Sequence, residues 1–103
     1  MSSTPQLRHL NNHHRDTLLH IFQHPTSANV DWKDALSLLE VVGSVEQRRD
    51  GKFAVQIGDE TAFFARPKNK DLDIEQVVEL RRMLTNAGYG ALVEELEAKG
   101  KEV

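Results

Sequence analysis

With 103 residues, 13 Lys+Arg against 16 Asp+Glu and a formal net charge of -3, the chain suits one domain with one modest core and carries no global basic field. Zero cysteines exclude a disulfide framework and a thiolate metal site. No apolar run approaches the ~20 residues of a membrane span, and the polar start MSSTPQLRHLNN lacks the apolar stretch of a signal peptide. The expectation is a soluble cytoplasmic protein.

Residues 1 to 10 are polar, with Pro5 and no sustained period, and read as a tail. From Asn12 to Gln23 the apolar residues Leu18, Ile21 and Phe22 predict a short helix, with Asn11 or Asn12 as N-cap and Pro25 beyond its end. Turn formers fill His24 to Asn29. Asp31 then caps a second predicted helix whose apolar stripe is Trp32, Ala35, Leu36, Leu39 and Val42, and Gly43 stands where a helix end turns left-handed.

The stretch from Ser44 to Pro67 reads as three short strands and two tight turns. Asp50-Gly51 marks the first turn, because glycine takes positive φ at no steric cost. A three-residue loop, Arg49 to Gly51, places Val45 and Gln47 on one face with Phe53 and Val55, and Glu46, Arg48, Lys52, Ala54 and Gln56 on the other; a two-residue loop would mix the faces. The second turn is expected over Gly58, Asp59 and Glu60. The third strand, Thr61 to Ala65, is apolar on both faces and is expected to be covered on both, with Phe53, Phe63 and Phe64 all in the core. Pro67 stops the pairing near Arg66.

Leu72, Asp73, Gln76 and Val77 carry the staple and capping-box pattern of a helix start, predicting a helix over 74 to 87. Its expected stripe is Ile74, Val77, Leu80, Leu84 and Ala87, with Gly88 as terminator. Beyond Tyr89 the acidic segment from Ala91 to Ala98 is a weakly amphipathic helix candidate with Leu92 and Leu96 one turn apart. These elements predict an α+β domain over residues 11 to 89, helices laid on a three-stranded antiparallel sheet in the order α-α-β-β-β-α, followed by an acidic helix or tail over 90 to 103. Trp32, Leu36, Leu39, Val55, Ile57, Phe63, Val77, Leu80 and Leu84 are expected to share its core.

Chemistry is sparse. His9/His13 and His20/His24 have i,i+4 spacing, but a pair without a third ligand reads as solvated helix histidines rather than a metal site. P-loop, dinucleotide-binding, G-x-S-x-G and H-E-x-x-H patterns are absent. Neither a cofactor nor a metal is expected. The basic residues say more: between positions 46 and 70 there are six cations, Arg48, Arg49, Lys52, Arg66, Lys68 and Lys70, against four acids. That local excess suits phosphate contacts, and places the cations at the two ends of the sheet.

The second helix NVDWKDALSLLEVVG, the Gly-containing hairpin, the strand end Phe64-Ala65-Arg66-Pro67 and the closing VVELRRMLTNAGY resemble, over roughly Thr17 to Tyr89, the HicA family. The resemblance implies a double-stranded-RNA-binding-like fold and the biology of a toxin with a cognate antitoxin protein, acting on messenger RNA through a hairpin histidine after Gly-Ser. At that place this chain reads Gly51-Lys52-Phe53, and all five histidines precede residue 25. The expectation is therefore an RNA-binding protein without the toxin's acid-base group, its RNA-binding residues being Arg48, Arg49, Lys52, Arg66, Lys68 and Lys70 and its catalytic residues unknown. The alternatives are an active messenger-RNA interferase and a protein-interaction module on the same scaffold.

Overall fold

Helix starts in this chain are set by side chains that take over orphan amides. The computed structural model describes residues 10 to 27 and 29 to 100. In α1 (Asn12–Ile21) the side chain of Asn11 accepts from the His14 amide at 2.8 Å. Asp31 accepts from the amides of Lys33 and Asp34 at the start of α2 (Trp32–Val42). At α3 (Ile74–Asn86) the capping box is complete: Gln76 N donates to Asp73 Oδ1 at 2.8 Å and Asp73 N donates to Gln76 Oε1 at 3.1 Å. Leu72 and Val77, the staple pair, are both buried. Gly88, at φ 98°, breaks the chain between α3 and α4 (Tyr89–Gly100).

The strands β1 (Ser44–Gln47), β2 (Phe53–Ile57) and β3 (Glu60–Phe64) form one antiparallel sheet in the order β1-β2-β3. The fold is α+β. In the first hairpin Val45 pairs with Val55 and Gln47 with Phe53, leaving the three-residue loop Arg49 to Gly51. Gly51 sits at φ 87° and its amide donates to Arg48 O, while Arg48 N donates to Lys52 O at 2.7 Å. Asp50 Oδ1 accepts from the Lys52 amide, an Asx turn that closes the loop.

Phe53, Val55, Ile57 and Phe64 bury the inner face of the sheet, with Val45 and Ala62 partly buried beside them. The helices supply Leu18 and Ile21, Trp32, Ala35, Leu38 and Leu39, Val77, Leu80, Met83 and Leu84, then Leu92 and Val93 of α4. Trp32 meets Phe53 edge-on, ring centroids 5.3 Å apart at 75°, an arrangement the aromatic quadrupoles favour. Leu10, read as tail from the sequence, is buried in this core; the rest of that tail lies outside the described residues.

The three-dimensional arrangement corrects several expectations. The second hairpin turn has two residues, Gly58 and Asp59, because Ile57 pairs with Glu60 and Gly58 at φ 61° supplies the tight reversal. That register turns Ala62 and Phe64 inward and Phe63 outward, so β3 is covered on one face only and Phe63 is 56% exposed rather than core. Ile74 is exposed because it occupies the first helical position, while Met83 fills the core stripe of α3. Leu36 is only partly buried, and Leu38 is fully buried in its stead. Gly43 ends α2 at φ -159°, an extended conformation open to any residue. A Cβ there would stand 2.0 Å from the Gln56 carbonyl oxygen, so the position needs glycine for close approach and not for a left-handed turn.

Candidate nucleic-acid interface

Antiparallel pairing decides where the cations go. Phe53, the first residue of β2, is opposite Phe64, the last of β3, so the end of β3 returns to the turn that joins β1 to β2. Arg48, Arg49 and Lys52 therefore share one end of the sheet with Arg66, and the expected distribution over two ends is corrected to one. All six expected cations, Arg48, Arg49, Lys52, Arg66, Lys68 and Lys70, are exposed.

Lys68 and Lys70 extend this end toward α2. Trp32 N donates to Lys70 O at 2.7 Å and Leu72 N to Val30 O at 2.8 Å, a short backbone pairing with a bridge between Asp31 and Asp71. It holds the Arg66–Lys70 loop against the start of α2. Between them lies a cleft of about 470 Å³ with Trp32, Leu36 and Pro67 among its apolar lining and Lys33, Arg66, Lys68 and Lys70 among its charged residues. Lys33 belongs to this basic end although, in sequence, it reads only as the polar side of a helix.

Among the described residues no helix or loop covers the outer face of the sheet, where Phe63 is exposed. Along it run Glu46 of β1, Arg48 and Lys52 of the first hairpin turn, Ala54 and Gln56 of β2, and Thr61 and Phe63 of β3, as the pairs Glu46 with Ala54 and Ala54 with Phe63 require. Arg48 reaches across β2 so that its guanidinium carbon is 5.1 Å from the centroid of the Phe63 ring. Of the three strand phenylalanines, Phe53 and Phe64 belong to the core and Phe63 to this open face.

The two cations of α3, Arg81 and Arg82, are engaged elsewhere. Arg82 donates to Glu60 at 2.7 Å and to Glu79 at 2.8 Å, Asn86 donates to Glu60 at 2.6 Å, and Arg81 donates to the Thr26 hydroxyl. Hydrogen bonds from Asn86 and Arg82 hold the Glu60 carboxyl below its ordinary range, and the Arg82 bond does the same for Glu79. This network sits beside a cleft of about 510 Å³ lined by residues that include Ile57, Asp59, Glu60, Asn86 and Tyr89. Burial pushes the Tyr89 hydroxyl upward. The lining of that cleft contains no histidine, serine, cysteine or lysine.

Among the described residues the histidines lie on α1 and just after it, and each ring contact ties helix to neighbour. His13 Nε2 is 2.9 Å from Asp34 Oδ1, His14 Nε2 is 2.9 Å from Ser37 Oγ, and His20 Nε2 is 2.8 Å from Ser27 Oγ. No group of three or more His, Cys, Asp or Glu side chains among the described residues is placed to hold a metal ion; His9 lies outside them. No helix among them is long and apolar enough to cross a membrane. Comparison with protein-family models, curated proteins and solved structures found no match, so the likeness to the HicA family rests on the sequence motifs.

Proposed function

We propose that this chain binds RNA through the basic end of its sheet and does not cleave it. The observation that carries the reading is the return of β3 to the first hairpin turn, which gathers Arg48, Arg49, Lys52 and Arg66 within one surface of a chain whose formal net charge is -3. A cluster of exposed cations confined to one end gains by releasing the counterions of a polyphosphate, and it does so without a global basic field.

The hairpin of this chain lacks the group that would make binding into hydrolysis. No histidine occurs after residue 24, so the sheet offers no side chain with an ordinary pKa near neutrality to take a 2′-hydroxyl proton or deliver one to a leaving oxygen. Such help is worth about 10²–10⁴ in rate.

Retention of labelled RNA measured against salt tests the reading. Binding should weaken steeply as salt rises, and Arg48→Ala with Lys52→Ala should weaken it across sequences and reduce the logarithmic salt slope by about 2, one for each phosphate contact removed. Absence of retention at about 50 mM salt rejects the proposal. RNA degradation by the purified protein rejects its non-cleaving half.

A further inference from the structure

Phe63 is a large aromatic on a face that none of the described residues covers, and its exposure is a consequence of register rather than of a loose strand. Its cross-strand neighbour Ala54 is too small to shield the ring, Phe64 next to it is buried, and the side chain that lies over it is Arg48. A ring left 56% in water beside cations, on the same surface as Lys52, has the two parts of a single-strand site: a π-face for a base and charges for the phosphates on either side.

Building on the RNA reading above, we infer that Phe63 is a stacking platform for one unpaired base and that the protein therefore prefers single-stranded RNA to duplex. In a duplex the base faces are already stacked, so only phosphates are offered to the surface. A single strand can lay a base on the Phe63 ring while Arg48, which now covers it, turns its guanidinium to the adjoining phosphate. The exchange retains a charge-assisted contact for Arg48 and removes the ring from water. Ala54 leaves room for this where a larger cross-strand residue would not.

The test is fluorescence anisotropy of the full chain with a labelled oligouridine of about 12 nucleotides and with an RNA duplex of the same length. The expected result is tighter binding of the single strand. Phe63→Ala should weaken single-strand binding by about five- to a hundredfold and leave duplex binding unchanged, while Phe63→Trp restores the single-strand affinity. Phe63 is exposed, so both variants should keep the wild-type circular dichroism and melting curve. Equal loss with duplex and single strand, no loss in Phe63→Ala, or a preference for duplex overturns the stacking site. If Arg48→Ala with Lys52→Ala weakens both ligands while Phe63→Ala weakens neither, stacking fails and the charge reading stands. If the wild-type chain retains neither ligand, both readings fall.

Discussion

Gly43 lies against the backbone of Gln56 so closely that a Cβ on it would meet the Gln56 carbonyl oxygen at 2.0 Å. This contact joins the end of α2 to β2, across from the point where Ser44 begins β1 and pairs with Gln56. The obstacle is backbone, which has no rotamer by which to yield.

Gly43→Ala should therefore cost at least about 1–3 kcal/mol, since the strand pairing must shift to admit one methyl group. Gly51→Ala meets open space but places an L side chain at φ 87°, a penalty of about 1–2 kcal/mol that Gly51→Asn should partly relieve. Urea denaturation of the three variants separates the mechanisms. Equal stability of Gly43→Ala and wild type would mean that helix and sheet are not in this contact.

Leu39→Ala and Leu84→Ala should each cost about 2–5 kcal/mol, because both side chains are fully buried between sheet and helices. Phe63→Ala should change stability by less than about 0.5 kcal/mol, the exposed ring having little packing to lose. The reverse ranking in chemical denaturation would mean that β3 is one residue out of register.

The Glu60 carboxyl should titrate below its ordinary value of 4.5, the hydrogen bond from Asn86 being the larger cause and that from Arg82 the next. A lowered folded pKa means that its contribution to stability is fully present above about pH 4.5 and is lost as pH falls through the lowered value. Asn86→Ala should bring the Glu60 titration, followed by carboxyl-carbon NMR, back toward the ordinary value. Salt should shrink the Arg82 part, which is half-exposed. A Glu60 titration unmoved by Asn86→Ala would remove the network from this account.

Phe53→His, which places an imidazole where the HicA pattern has one, should cost about 2–5 kcal/mol and produce no RNA cleavage. Phe53 is buried against Trp32, so the new ring would have to reach solvent by abandoning the core. Lys52→His, on the exposed outer face, should leave stability within about 0.5 kcal/mol of wild type. Denaturation and a cleavage assay on both variants check this, and a stable, RNA-cleaving Phe53→His protein would contradict the inward placement of position 53.

Local chemistry was legible in the sequence. The Asp31 and Asp73 caps, the Asp73/Gln76 box and the three-residue Arg49–Gly51 loop depend on side chains and backbone within a few residues of each other, and these were readable from spacing alone, whereas the cap of α1 was narrowed only to Asn11 or Asn12. The two-period of β2 fixed which of its residues face inward. β3 carried no such signal, because Ala62, Phe63 and Phe64 are apolar in succession. Only pairing Phe64 with Phe53, which forces Phe63 outward, could separate a core phenylalanine from an exposed one.

The candidate interface divides in the same way. Composition alone determined that cations concentrate between positions 46 and 70 and that no histidine follows residue 24. That Arg66 returns to the turn holding Arg48, Arg49 and Lys52, that Arg48 spans β2 to reach Phe63, and that Lys33 joins Lys68 and Lys70 around one cleft are tertiary facts. Each depends on which strand lies beside which and on the Trp32–Lys70 backbone bond. Those contacts join residues far apart in the chain, and no periodicity along it encodes them.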